Sequence, residues 1–288
     1  MSADASSPLA VGVLERLRNA RGFVFDLDGT LVLGDKRNAG LRPLPGAIEF
    51  THELARCGTP FAILTNGTVR TPAQYAAKLR ALGFAIEDRS MLTPASVAGE
   101  YLARRGLQRV LVLGGEGITL PLTAAGLTAV LPAERRSDVD AIFIGWFREF
   151  GIDDLEVACE AAWGGARLFA ASLAPFYATA EGRALGTSRA IAAMITSLTG
   201  RRATVLGKPA LEALRLAARR LGLACATLAV VGDDPALEVP MAHRGGALAI
   251  AVQSGLGGAD AFDALPQCAR PHLAVHDIAQ LQTIYERR

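Results

Sequence analysis

The 288-residue chain is poor in lysine and in cysteine, and both shortages narrow what it can be. Lys36, Lys78 and Lys208 are the only lysines beside a large arginine complement, so a lysine lodged in a motif carries more meaning than usual. The four cysteines, Cys57, Cys159, Cys225 and Cys268, lie far apart and form no CxxC pair, which speaks against a zinc site and for a reduced intracellular protein. A basic excess is missing too. The net charge of +2 is too small to be the footprint of a nucleic-acid or membrane-surface protein. No apolar run nears the roughly 18 residues that span a bilayer, and the first 22 residues lack the basic-then-apolar order of a secretory signal. A cytoplasmic protein is the expectation. Repeats and low-complexity tracts are absent, and the Ser/Ala-rich stretch 1–8 reads as disordered.

What is present is 51% apolar and 20% charged, the composition of a globular enzyme. Short apolar runs alternate with segments of helical period, which predicts an α/β fold on a parallel sheet. Strands are expected at 23–25, 61–64, 110–113, 141–144, 168–171, 204–206, 228–231 and 248–252. Helices are expected at 11–18, 45–57, from Thr71-Pro72-Ala73-Gln74 to Gly83, from Thr93-Pro94 to Gly106, and at 188–198, 209–221 and 235–243. The length allows one large domain or two smaller ones. Residues 110–171 read as an inserted αβ unit, because they separate two halves that both carry chemistry-bearing motifs.

Four polar clusters each follow an apolar strand. In Asp26-Leu27-Asp28-Gly29-Thr30-Leu31, backbone alternation turns Asp26 and Asp28 to one side. Two carboxylates that close repel, and a divalent cation or a shared proton is the usual remedy. Thr65-Asn66-Gly67 offers a hydroxyl and backbone N–H groups to phosphate oxygens, although such a run is also an ordinary turn. Gly207-Lys208-Pro209 puts a compact positive charge at a strand–helix junction. Gly232-Asp233-Asp234, with Glu238 a turn later, would complete an oxygen-rich magnesium site.

The order of these clusters resembles the haloacid dehalogenase superfamily, and within it the phosphatases similar to NagD, p-nitrophenylphosphatases and pyridoxal-phosphate phosphatase. Leu44-Pro45-Gly46-Ala47 and Val112-Leu113-Gly114-Gly115-Glu116-Gly117 add to the likeness, which runs from about Gly22 to the last strand. The resemblance implies a Rossmann-like core with an inserted α/β cap of the C2 type: core at 1–103 and 181–288, cap at 104–180. It also implies magnesium-dependent hydrolysis of a small phosphorylated metabolite through an aspartyl-phosphate. Asp26 would be the nucleophile and Asp28 the general acid and base. Thr65, with Asn66 and Gly67, would hold phosphate, and Lys208 would offset negative charge. The metal would sit on Asp26, the Asp28 main-chain carbonyl and Asp233, with Asp234 or Glu238 in support. Arg148, Phe176, Tyr177 and Arg183 are the cap candidates for the leaving group, and an exposed cap surface leaves room for a homodimer.

Two places depart from the family pattern. Relatives put Thr-Asp where this chain has Leu237-Glu238, and often Asn-x-Asp where it has Ala171-Ser172-Leu173-Ala174-Pro175. The histidines His52, His243, His272 and His276 have no ligand partner in the sequence, and the region after Pro271 reads as a surface segment. Trp146 and Trp163 read as core or interface residues. A phosphomutase, or a phosphoacceptor that binds without turnover, are the competing functions. Asp28 argues for turnover, since a stable phosphoacceptor needs no positioned acid.

Overall fold

The computed structural model describes residues 8–37, 39–255 and 259–287, so most of the stretch expected to be disordered lies outside the described residues. The chain runs α1 (Pro8–Arg18), β1 (Gly22–Phe25), β2 (Val32–Leu33), β3 (Arg42–Pro43), α2 (Ala47–Arg56), β4 (Phe61–Leu64), α3 (Pro72–Ala81), β5 (Met91–Leu92) and α4 (Pro94–Ala103). It continues through β6 (Arg109–Leu113), α5 (Glu116–Ala124), β7 (Thr128–Val130), β8 (Ala141–Ile144), α6 (Ile152–Trp163), β9 (Arg167–Ala170), β10 (Phe176–Thr179), β11 (Gly182–Leu185), α7 (Thr187–Thr199) and β12 (Thr204–Val205). The last part is α8 (Leu211–Leu221), β13 (Leu228–Gly232), α9 (Glu238–Gly245), β14 (Leu248–Val252), α10 (Ala259–Asp263), β15 (Leu273–Val275) and α11 (Ile278–Glu286).

Two parallel sheets result. The larger has the order β15-β14-β13-β1-β4-β5, the smaller β12-β9-β8-β6-β7. The apolar runs legible in the sequence are their central strands, buried on both faces as parallel strands covered by helices must be. Strand β1 shows the alternation directly. Phe23 and Phe25 stack at 5.5 Å in one core with Phe50 of α2 and Tyr285 of α11, while Val24 faces a second core. That second core joins the two sheets, since it also holds Leu102 of α4, Val110 and Val112 of β6 and Phe143 of β8.

Helix starts follow local chemistry. The Thr71 and Thr93 hydroxyls cap α3 and α4, each answered by a side chain three residues on and each followed by proline at the first helical position. The helix expected from Pro235 begins instead at Glu238. Asp234 first uses its carboxylate to accept from the Ala236 N–H at 2.8 Å, and this turn delays the helix. The region after Pro271 is not merely surface: β15 pairs with β14, and the ring Nδ1 of His272 accepts from the Ala249 N–H at 2.9 Å. The smaller sheet runs from Arg109 to Val205, beyond the exit at residue 180 that the sequence suggested. Strand β12 pairs with β9, and α7 packs against β8 and β9.

Candidate active site

Strand β1 has β4 on one side and β13 on the other, so the chain order reverses there. In an open parallel sheet, the crevice beyond the carboxyl ends of the strands at such a reversal is where ligands bind. Asp26, Thr65 and Asp233 each follow directly on one of these three strands.

Asp26 is 6% exposed, Asp233 1%, Glu238 2% and Lys208 2%. The Lys208 ammonium pairs with Asp26 Oδ1 and lies 2.8 Å from Glu238 Oε1. Burial alone would pull this lysine down, but the two carboxylates outweigh it and hold the group charged, above its ordinary value. Burial likewise pushes the Glu238 carboxyl upward. The Thr30 hydroxyl stands 3.5 Å from both Asp26 Oδ2 and Asp233 Oδ1. Gly29 makes room for this arrangement. Its φ of 96° suits glycine, and a Cβ there would run into the Asp233 carboxylate.

Carboxylate oxygens of Asp26, Asp233 and Glu238 lie within 4.8 Å of one another, all buried. Three carboxylates face one ammonium, and Glu238 Oε1 has no hydrogen-bond donor beyond its ion pair. An all-oxygen, charge-deficient cluster of this kind fits a hard divalent cation such as magnesium. Asp234 lines the same cleft with its carboxylate turned to the Ala236 N–H, outside that cluster.

Asp28 has a different environment. Its Oδ2 accepts from the Thr65 hydroxyl at 3.1 Å. Burial, and then the charge of Asp26, push its carboxyl up to about 7, so near neutrality it can hold or release a proton. The Thr65 proton is thus committed to Asp28, and its Oγ1 also accepts from the Gly67 N–H at 2.9 Å. Asn66 was expected beside phosphate, but its side chain turns to the lysine loop. Oδ1 accepts from the Lys208 N–H at 2.7 Å, and Nδ2 donates to the Lys208 carbonyl at 3.0 Å and to Ser172 Oγ at 3.2 Å. The two residues are 142 apart in sequence, so no local pattern signals this contact.

The cleft is walled on its far side by the second sheet and the β10–β11 hairpin. Phe176 and Tyr177 line it, as do Ser172, Ala174 and Leu185. Trp146, which the sequence suggested as core or interface, is also in the wall, edge-on to Tyr177 at 5.5 Å. Arg148 and Arg183 do not line the cleft. They stack on its aromatics, Arg148 5.8 Å from the Trp146 ring and Arg183 4.3 Å from Phe176. The hairpin is fastened to the loop after β2. Ala180 N–H donates to the Gly34 carbonyl at 2.8 Å, and the Tyr177 hydroxyl donates to the Lys36 carbonyl at 2.9 Å. Among the described residues no helix is long and apolar enough to cross a membrane.

Comparison with known proteins agrees with this geometry. Residues 23–128 match the family described as haloacid dehalogenase-like hydrolase, and residues 205–281 match one described as HAD-hydrolase-like. Chronophin of Mus musculus is 27% identical over 92% of this chain and 93% of its own length. The structure of NagD from E. coli K-12 superposes with a TM-score of 0.79 at 25% identity, covering 90% of this chain and 97% of that one. Glycerol phosphate phosphatase Rv1692 from Mycobacterium tuberculosis, solved in complex with magnesium, gives 0.80 at 28% identity, covering 92% of this chain and 77% of its own. With family matches in both the first and the last part of the chain and relatives that align along most of their length, the chain belongs to the haloacid dehalogenase-like hydrolases, similar to NagD and to p-nitrophenylphosphatases.

Proposed function

We propose that this hydrolase is a magnesium-dependent phosphatase of small phosphomonoesters that works through an aspartyl-phosphate on Asp26. The observation that carries the reading is the pairing of two unlike carboxyls two residues apart. Asp26 pairs with the Lys208 ammonium, while Asp28, bonded by the Thr65 hydroxyl, is buried and pushed up to about 7. A carboxylate set against an ammonium, beside a carboxyl able to carry a proton near neutrality, is what nucleophile and acid require. The relatives named as phosphatases act on the same class of ester.

In this mechanism an Asp26 oxygen attacks phosphorus as the bond to the alcohol oxygen breaks, and the Asp28 carboxyl gives its proton to the departing oxygen. A water then attacks the aspartyl-phosphate, Asp28 takes a proton from it, and inorganic phosphate leaves with Asp26 restored. Lys208 neutralises charge on the nucleophile and the phosphoryl group throughout. Asp26, Asp233 and the Asp28 main-chain carbonyl would hold the cation, with Glu238 in support. When bound, it supplies further neutralisation of phosphoryl charge. The second sheet, with the β10–β11 hairpin, serves as the cap and furnishes the wall against which the alcohol part rests.

Hydrolysis of p-nitrophenyl phosphate with and without magnesium, in the wild type and in Asp26→Asn, tests the reading. Magnesium-dependent release that Asp26→Asn abolishes is the expected result. Release that survives the substitution would remove Asp26 from the chemistry. A wild type that releases a single equivalent of p-nitrophenol, stays phosphorylated on Asp26 and does not turn over would instead indicate a phosphoacceptor.

A further inference from the structure

The second inference rests on the phosphatase reading and concerns the alcohol that leaves. It begins at the main chain of Lys208, whose N–H can only donate and whose carbonyl can only accept. Asn66 meets both, so its amide has a single orientation: Oδ1 toward the N–H, Nδ2 toward the carbonyl. The remaining Nδ2 proton points at Ser172 Oγ, 3.2 Å away, and Ser172 must accept it. The Ala174 N–H donates to the same oxygen at 3.1 Å. A hydroxyl has two acceptor sites and one proton. Both acceptor sites are taken, and the proton has no acceptor among the described residues.

Ser172 is 8% exposed and lines the cleft together with Asp26, Asp28 and Lys208. It follows β9 in the second sheet, among the apolar side chains of Ala174, Phe176 and Tyr177. The cation suited to phosphoryl oxygens, Lys208, comes instead from the loop that returns to the larger sheet. We infer that Ser172 is a specificity-determining residue that donates its hydroxyl proton to an acceptor oxygen in the leaving group. The favoured class would be phosphomonoesters whose alcohol carries a second oxygen close to the ester bond, as polyols, sugars and hydroxy acids do. A donor fixed by two bonds to its own oxygen discriminates well. An analogue that lacks the matching oxygen leaves the donor buried and unpaired.

The test is a matched pair of esters, 2-hydroxyethyl phosphate and propyl phosphate, which differ by a hydroxyl in place of a methyl. Wild type is expected to favour the hydroxylated ester by about tenfold or more in kcat/KM. Ser172→Ala should erase that preference, falling on 2-hydroxyethyl phosphate and much less on propyl phosphate. Ser172→Thr, which keeps the hydroxyl, should retain it. A role confined to bracing Asn66 and Lys208 would lower both esters in parallel in Ser172→Ala, and that outcome overturns the inference. So does a wild type without preference, or one that hydrolyses p-nitrophenyl phosphate but neither alkyl ester. Failure of the phosphatase reading itself would appear separately, as no magnesium-dependent turnover of p-nitrophenyl phosphate.

Discussion

Glu238 holds a carboxylate oxygen 2.8 Å from the Lys208 ammonium, the same ammonium that pairs with Asp26. The lysine is therefore fixed between the nucleophile and a second carboxylate, and its charge is in place before any ester arrives. Glu238 Oε2 also accepts from the Asp234 N–H at 3.1 Å, so one side chain ties together the lysine loop and the turn after β13.

Removing that tie has a definite direction. Glu238→Ala leaves the Asp234 N–H without its acceptor and Lys208 with one partner fewer, and should destabilise the fold by roughly 3 kcal/mol. Glu238→Gln, whose single amide oxygen can replace one of the two acceptors, should lose less. Urea unfolding of the two variants beside wild type reads the difference, and equal stability of Glu238→Ala and wild type would refute the role.

Asp28 offers a trade between stability and turnover. Its folded pKa of about 7 exceeds the ordinary carboxyl value of 3.8, so the carboxyl contributes fully below pH 3.8 and that contribution is lost as pH rises through 7. Asp28→Asn, which can still accept from the Thr65 hydroxyl, should therefore raise the melting temperature of the metal-free protein at pH 8. It should also lower kcat by a factor on the order of 10²–10⁴. Thermal melts at pH 8 and steady-state kinetics check the two halves independently.

Gly29 lies directly against the Asp233 carboxylate. Gly29→Ala puts a Cβ against that carboxylate and forces an L-residue to a φ of 96°. A loss of magnesium affinity of about 10–100-fold is expected, as for perturbation of groups that orient metal ligands. Isothermal titration with magnesium would reveal it, and an unchanged affinity would place the cation elsewhere.

His272 makes the protein acid-sensitive far from the cleft. Burial, with Arg16 and His243 nearby, pushes its imidazole down to about 4 from 6.5, and its Nδ1 accepts a main-chain bond that protonation would break. The stabilisation is present above pH 6.5 and is lost as pH falls toward 4. Unfolding of His272→Gln, whose side-chain oxygen can replace the acceptor, should depend less on pH across that window. An unchanged pH profile would argue against this titration.

The parts of the site that follow apolar strands were legible because burial and strand ends leave a periodic mark. Asp26, Asp28, Asp233 and the strands before them could be read residue by residue. What escaped depends on contacts between distant segments. Asn66 reads as a turn residue until Lys208 is folded against it, and Trp146 reads as core until the β10–β11 hairpin places Tyr177 beside it. Strand β12 carries two residues in the smaller sheet, too few to signal which sheet they join. The delayed start of α9 turned on a single carboxylate bond from Asp234, which competes locally with the helix and has no periodic signature.

The aromatic core beneath β1 brings residues from the two ends of the chain together. Phe23 meets the ring of Tyr285 at 5.4 Å, and the Tyr285 hydroxyl stands 3.2 Å from Thr59 Oγ1. Strand β1 also takes one neighbour, β13, from more than two hundred residues downstream. On the ribosome, therefore, the strand that ends at Asp26 emerges more than two hundred residues before β13 and α11, the partners it packs against. Until α11 has been made, Phe23, Phe25 and Phe50 lack their covering, and a nascent or truncated chain presents that surface to chaperones and to other unfinished copies. Loss of the last helix would thus be felt at the nucleophile's own strand, although no residue of that helix lines the cleft.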